Sequence, residues 1–116
     1  MMTSSQAQAW VVSVLEDLKA KEILVLDVKE LTSVTDAMIP CSGTSTRHVQ
    51  SLAEYLVLKA KEAGIFVFGM EGEAQGEWVL VDLVDVVVHI MLPKTREFYS
   101  LERLWDMKPL KQVVHQ

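Results

Sequence analysis

Carboxylates at two places in the chain are close enough in sequence to suggest chemistry. Asp82 and Asp85 bracket a tight turn, and Glu71 and Glu73 lie in a glycine-bearing loop. A two-metal nucleotidyl-transfer site needs carboxylates that converge from neighbouring strand positions, typically an acidic-x-acidic pair on one strand. Neither pair has that placement. Solvated turn residues are the better interpretation of Asp82 and Asp85, and salt bridges to a basic partner are the alternative.

The other side chains that could bind a metal or act as nucleophiles are isolated. His48, His89 and His115 lie far apart, and Cys41 is the only cysteine, so no metal-ligand spacing is present. A pair formed by Cys41 and a distant histidine would be nucleophilic, but a buried and inert cysteine in a strand is the simpler interpretation. We therefore expect no catalytic residue, no metal site and no cofactor.

The segment SGTSTRHV (residues 42–49) places a glycine and several hydroxyl side chains before a predicted helix. Free backbone N–H groups at a helix N-terminus can bind a phosphate. Helix capping by Thr44 or Ser45 is the simpler interpretation, because the chain has neither the lysine spacing of a P-loop nor a GxGxxG motif.

Composition limits the class of protein. Half of the 116 residues are apolar, which is enough for one domain without a disulfide or a structural metal. The 11 basic and 16 acidic residues give a net charge of −5. Without a cluster of Lys and Arg we expect no direct nucleic-acid recognition, whereas an acidic surface favours a basic protein partner. The N-terminus lacks the features of a signal peptide and no apolar run is long enough to cross a bilayer, so we expect a cytoplasmic protein that does not contact membranes.

Hydrophobic periodicity predicts an α/β domain with a mixed sheet of about five strands flanked by helices. We expect helices over residues 6–20, between the cap at 44–45 and Gly64, and within 94–106, and strands over residues 22–28, 37–42, 65–70, 77–83 and 85–92. Pro40 argues for an edge position or a strand end for the second strand, because proline lacks a ladder donor. The domain is expected to span residues 1–108, and residues 109–116 are expected to form a flexible tail.

The last two strands form a hairpin whose faces differ in composition. With Leu83-Val84 as a two-residue loop, Trp78 would face His89 and Leu80 would face Val87. One face is then aliphatic and suits the core (Val79, Val81, Val86, Val88 and Ile90), and the other is mixed (Trp78, Leu80, Asp82, Asp85, Val87, His89 and Met91). The mixed face has the composition of a binding patch, which predicts a partner-binding set of Trp78, Leu80, Val87, His89 and Met91. The alternative is that helices cover both faces and that Trp78 belongs to the core.

Several segments, read in order, resemble the Iojap/ribosomal silencing factor family. They are LEDLKAKEILVLDVKELTSVTD (15–36), CSGTSTRHVQSLAE (41–54), EGEAQGEWVLVDLVDVVVHIM (71–91) and REFYSLERLW (96–105). The motifs TD, CSGTS-x-R, EG-x-x-x-GEWVL, D-x-x-DVVVH and LE-x-LW have the order and spacing of the family. The resemblance extends over about residues 10–106, which is nearly the whole chain.

The resemblance implies a nucleotidyltransferase-like fold without the transferase active site. It also implies a factor that binds the large ribosomal subunit through ribosomal protein L-fourteen and sterically blocks joining of the small subunit, which lowers translation when nutrients are scarce. Organellar relatives act in assembly of the large subunit, which is the alternative function, and a nucleotidyltransferase enzyme is the alternative from another class. Relatives are often dimeric, and an apolar sheet face would suit either a second copy or the ribosome.

By this resemblance Trp78 matches the aromatic residue of the family's GEW motif, on the sheet face associated with the ribosomal partner. Residues at motif positions that look structural are Asp36, Gly43, Arg47, Gly72 and Gly76. The chain departs from the family at two places. Val84 replaces the glycine of the D-x-G-D turn, and since a β-branched residue tolerates positive φ poorly, we expect a different type of turn. Pro40 replaces an aliphatic residue and is expected to shorten the second strand.

Overall fold

Six strands form one mixed sheet in the order β3-β4-β5-β2-β1-β6. The structure is a computed structural model that describes residues 2–99 and 109–113. Its elements are α1 (Ser4–Asp17), β1 (Ile23–Asp27), β2 (Ala37–Ser42), α2 (Thr46–Glu62), β3 (Gly69–Glu71), β4 (Trp78–Asp82), β5 (Val86–Met91), α3 (Pro93–Tyr99) and β6 (Pro109–Val113). The parallel pair is β2 with β5, and the other neighbours are antiparallel. The predicted α/β class and mixed sheet are confirmed, with a sixth strand added.

Helices α1 and α2 pack on the same face of the sheet. The core between them and the strands is aliphatic, and it includes Val11, Leu15, Leu52, Leu56, Ile23 and Ile39. The alternating residues Val79, Val81, Val86, Val88 and Ile90 are all fully buried in this core. Because successive strand residues point to opposite faces, this confirms which face of the hairpin was predicted to lie against the core.

Local side-chain and backbone bonds determine where the helices begin and end. The N-cap of α1 is Thr3, which forms a reciprocal capping box with Gln6. After α2 the chain turns at Gly64, whose φ is +74°, and the Ile65 N–H donates to the Ala60 carbonyl. This is the Schellman arrangement of a helix C-terminus, as the position of Gly64 predicted.

Pro40 lies in the middle of a central strand, so the prediction of an edge position or a strand end is wrong. Strand β2 runs from Ala37 to Ser42 without shortening, between β5 and β1. The reason lies in the pairing with β1, which includes Met38 and then stops until a bridge joins Lys21 to Ser42. Even-numbered residues of β2 direct their backbone groups toward β1, as Ser42 does. The donor that Pro40 lacks would therefore point into the gap in this ladder.

The two ends of the sheet differ from the prediction. The strand expected over residues 65–70 is shorter and later, because the backbone of β3 pairs with β4 over Gly69–Glu71 alone. Residues 109–113, predicted as part of a flexible tail, form β6 and pair antiparallel with β1. A partner strand satisfies the backbone donors and acceptors on the outer edge of β1, which would otherwise be open to another chain.

The β4–β5 hairpin has a different register from the one predicted. Trp78 lies opposite Met91 and Leu80 lies opposite His89, so the turn consists of Val84 and Asp85. The whole pairing is displaced by two residues along β5, which preserves the faces because side chains alternate with a period of two. The β-branched side chain of Val84 does not keep this residue out of the left-handed region. Val84 adopts a φ of +73°, which is the conformation of a glycine, and its N–H donates to Asp82 Oδ1 at 2.8 Å.

Replacing Val84 with glycine is expected to stabilise the protein by about 1 kcal/mol, because relief of the left-handed strain of about 1–2 kcal/mol exceeds the entropy cost of a glycine. Urea unfolding followed by circular dichroism measures the change. The matched control is Val34→Gly, since Val34 is 76% exposed and does not have a positive φ. This control is expected to be destabilising. An equal loss of stability in both variants would contradict the strain at Val84.

Candidate partner-binding face

The mixed face of the hairpin lies on the side of the sheet opposite α1 and α2. Trp78, Leu80 and Val87 are half-buried there, so each keeps part of its apolar surface accessible. His89 is only 6% exposed and Met91 is fully buried. Of the five residues predicted to bind a partner, three therefore present surface, and two lie beneath it.

Met91 belongs to a small second cluster that supports Trp78 from below. Its buried members are Leu26, Val28, Met38 and Met91, and Trp78 packs against them. The indole is thus neither a full core residue nor a side chain standing free in solvent. An interface anchor is expected to have this arrangement, in which a large apolar side chain packs on a buried cluster and keeps part of its surface accessible.

A hydrogen bond joins Trp78 to His89 across the hairpin. The indole Nε1–H donates to His89 Nδ1 at 3.0 Å, and the ring centroids are 5.9 Å apart with the planes tilted by 49°. Burial lowers the pKa of His89 to about 4, so the imidazole is neutral near pH 7. Because Nδ1 accepts the hydrogen bond from the indole N–H, the neutral ring carries its own proton on Nε2.

The loop between β3 and β4 fixes the approach of the chain to Trp78. Gly72 has a φ of +86°, and a Cβ there would lie 2.1 Å from the Trp78 carbonyl oxygen. The other side of the loop is held by Gln50 of α2, whose Nε2 donates to the carbonyls of Glu73 and Ala74. Gly76 lies tightly against the Thr46 carbonyl and the Gln50 side chain. Gln50 had no distinguishing signal in the sequence; the two glycines of EG-x-x-x-GEW pointed to this loop.

The turn before α2 is a helix cap. Ser45 accepts from the His48 N–H at 3.0 Å, which confirms capping by one of the two predicted residues. The Thr44 N–H, which a phosphate would need, donates instead to His48 Nδ1 at 2.9 Å. His48 Nε2 in turn donates to the Leu18 carbonyl. This histidine therefore ties the start of α2 to the end of α1.

The side chains considered as catalytic candidates have structural roles. Cys41 is fully buried, and burial raises the pKa of its thiol to about 12, which favours the unreactive form and fits the expected inert cysteine. Asp82 is a turn residue that binds the Val84 N–H. Over residues 2–99 and 109–113, no group of three His, Cys, Asp or Glu side chains is placed to hold a metal ion. Nor does this part of the chain contain a helix that is long and apolar enough to cross a membrane.

These features define an α/β protein whose mixed sheet is covered by two helices on one face and presents a supported aromatic residue on the other. The family model described as "Ribosomal silencing factor during starvation" matches residues 1–116, and the chain belongs to this family. The ribosomal silencing factor of Chromobacterium violaceum is 50% identical over 94 residues, which cover 81% of this chain and 77% of that protein. The Bacillus subtilis factor is 43% identical and is covered to 83%.

Solved structures and organellar relatives extend the comparison. A crystal structure of a Chromobacterium violaceum protein superposes with a TM-score of 0.89 at 43% identity, covering 97% of this chain and 94% of that one. A mouse protein named "Mitochondrial assembly of ribosomal large subunit protein 1" is 39% identical over 101 residues, which cover 84% of this chain and 44% of that protein. The family resemblance found in the sequence motifs is thereby confirmed.

Proposed function

We propose that the protein silences translation by binding the large ribosomal subunit through ribosomal protein L-fourteen, and that it acts in the cytoplasm. The bound factor would occupy a surface that the small subunit needs, so subunit joining is blocked sterically. No bond is made or broken in this mechanism. Occupancy depends on the free concentration of the factor relative to its dissociation constant.

The observation that carries the proposal is the half-buried Trp78 on the sheet face opposite α1 and α2. Leu80 and Val87 lie beside it on the same face and are also half-buried. Interface centres are enriched in aromatic residues and depleted in charged ones. We assign direct contact to Trp78, Leu80 and Val87, and a supporting role to Met91, whose side chain has no accessible surface.

Charge supports a basic partner. The chain has a net charge of −5, and Asp82 lies on the same face as Trp78, opposite Val87. Carboxylates beside an apolar centre speed encounter with a basic protein surface and exclude acidic partners. A second copy of this chain is the other occupant that the face would accept, and its equal negative charge disfavours it.

Sedimentation through a sucrose gradient tests the proposal. We expect the protein to co-sediment with purified large subunits, but not with small subunits, and to lower the fraction of joined ribosomes when both subunits are present. Free protein that remains at the top of the gradient with large subunits present at micromolar concentration would contradict the proposal. Calorimetric titration with nucleotide and Mg²⁺ is the control for catalysis, because saturable binding would favour the nucleotidyltransferase alternative.

Assembly of the large subunit is a second candidate function, favoured by the name of the mouse relative. The two functions differ in what depletion of the factor changes. Loss of a silencing factor raises translation during starvation and leaves the amount of large subunits unchanged. Loss of an assembly factor leaves incomplete large particles during growth, and gradient profiles of depleted cells distinguish the two.

A further inference from the structure

We propose that His89 is a positioning residue, which holds the Trp78 indole in its docking orientation without touching the partner. The effect on subunit binding rests on the proposed function, whereas the orientation of the indole by His89 does not. The inference replaces the sequence-based expectation that His89 contacts the partner itself. It assigns the histidine to the inner side of the face, and the partner contact to the indole that it holds.

The strand register places the two rings diagonally across the hairpin. Trp78 lies opposite Met91, and Leu80 lies opposite His89, so the indole must lean along the sheet to bring Nε1 within 3.0 Å of His89 Nδ1. Diagonal neighbours in an antiparallel pair are within reach of aromatic side chains. A tryptophan side chain has several staggered rotamers. A directional bond at its N–H selects the one that lies over Met91 and the cluster below.

The burial of His89 indicates that position 89 requires a hydrogen-bond acceptor and not merely an apolar side chain. His89 is 6% exposed, and the next residues on its side of the strand are Val87 and Met91. A leucine or phenylalanine would fill such a site without the cost of removing an imidazole from water. That cost is offset by a bond that satisfies the indole N–H, which would otherwise lose a partner in a partly buried place.

An anchored indole binds more tightly because less side-chain freedom is lost on docking. The test is a double-mutant cycle with purified large subunits. His89→Phe keeps an aromatic ring, slightly larger than imidazole, and removes the acceptor, and we expect it to weaken binding about fivefold, the equivalent of one hydrogen bond. His89→Asn places an oxygen near the original Nδ1 and should bind within about twofold of the native chain. In a Trp78→Phe background, which lacks the indole N–H, His89→Phe should cause no further loss.

An equal loss from His89→Phe in both backgrounds would overturn the inference, since His89 would then act by some route other than the Trp78 N–H. Circular dichroism and urea unfolding confirm that each variant is folded, and His89→Asn keeps the cycle informative if the phenylalanine variant is not.

The second readout needs no ribosome. The chain has three tryptophans, and in a ¹⁵N–¹H spectrum the Trp78 indole peak is identified by its disappearance in Trp78→Phe. We expect this N–H to exchange slowly with water in the native chain, to shift and exchange faster in His89→Phe, and to recover in His89→Asn. An unchanged Trp78 peak in His89→Phe would refute the positioning role. If the native chain does not bind large subunits, the proposed function fails, and this measurement still decides the inference.

Discussion

Replacing Trp78 with alanine is expected to weaken binding to the large ribosomal subunit by about 2 kcal/mol or more, which is roughly a thirtyfold higher dissociation constant. The alanine removes the aromatic surface of the face and uncovers the cluster that contains Leu26 and Met38. Some stability is lost as well, on the order of 2 kcal/mol, because the indole is half-buried. The domain is expected to remain folded, since the main core under α1 and α2 does not include Trp78.

Phe66→Ala is the matched control for Trp78→Ala. Phe66 is another large aromatic residue and is 68% exposed, but it lines a groove beside Trp10 and Val11 of α1, away from the Trp78 face. It should leave subunit binding unchanged. If Trp78→Ala unfolds the protein, Trp78 is a core residue. If both variants weaken binding equally, the partner does not select the Trp78 face.

Gly72→Ala is expected to lower the free energy of unfolding by about 3 kcal/mol. The added methyl group would overlap the carbonyl oxygen of Trp78, which is backbone and cannot move away as a flexible side chain would. The left-handed φ of Gly72 adds about 1–2 kcal/mol to that steric cost. Since the loop must move away from β4, subunit binding should fall together with stability. Urea unfolding and gradient sedimentation of the same variant measure both effects.

Gly64→Ala separates the two contributions. Gly64 has a similar φ of +74°, but a Cβ there would meet nothing within 4 Å. Only the conformational cost of about 1 kcal/mol applies, and subunit binding should not change. Equal destabilisation of the two variants would mean that the loop accommodates the methyl group beside Trp78 without resistance.

Alternation in the sequence was sufficient to assign the faces of the hairpin, but not its register. Every pairing that keeps odd residues opposite even ones places Trp78, Leu80 and Val87 on the same face. The exact register depends on which residues form the turn. The predicted turn was Leu83-Val84, whereas Val84 and Asp85 form it, with Val84 at a positive φ. The residue types at a turn indicate which backbone conformations cost little free energy. Pairing of the flanking strands can nevertheless hold a residue in a strained conformation.

The sequence also could not predict which residues of the mixed face are buried. Periodicity assigned His89 and Met91 to the same side as Trp78, and the structure agrees. It could not show that both are buried, because burial depends on residues distant in sequence, as Leu26 and Met38 are for Met91. The prediction of an edge position or a strand end for Pro40 was wrong for a related reason. Whether a missing N–H is costly depends on the neighbouring strand, and the β1–β2 ladder has a gap opposite Pro40, between Met38 and Ser42.

The parallel pairing of β2 with β5 has a kinetic consequence. Antiparallel strands β3, β4 and β5 are joined by short connections, and so are β1 and β2, so each unit can form from local contacts. The β2–β5 ladder joins these units across α2 and more than a third of the chain. Contacts of such long sequence separation are slow to close. We therefore expect the β2–β5 pairing to form later than the pairing within each unit. The Trp78 face is then completed only at that step, because its supporting cluster includes Met38 from one unit and Met91 from the other.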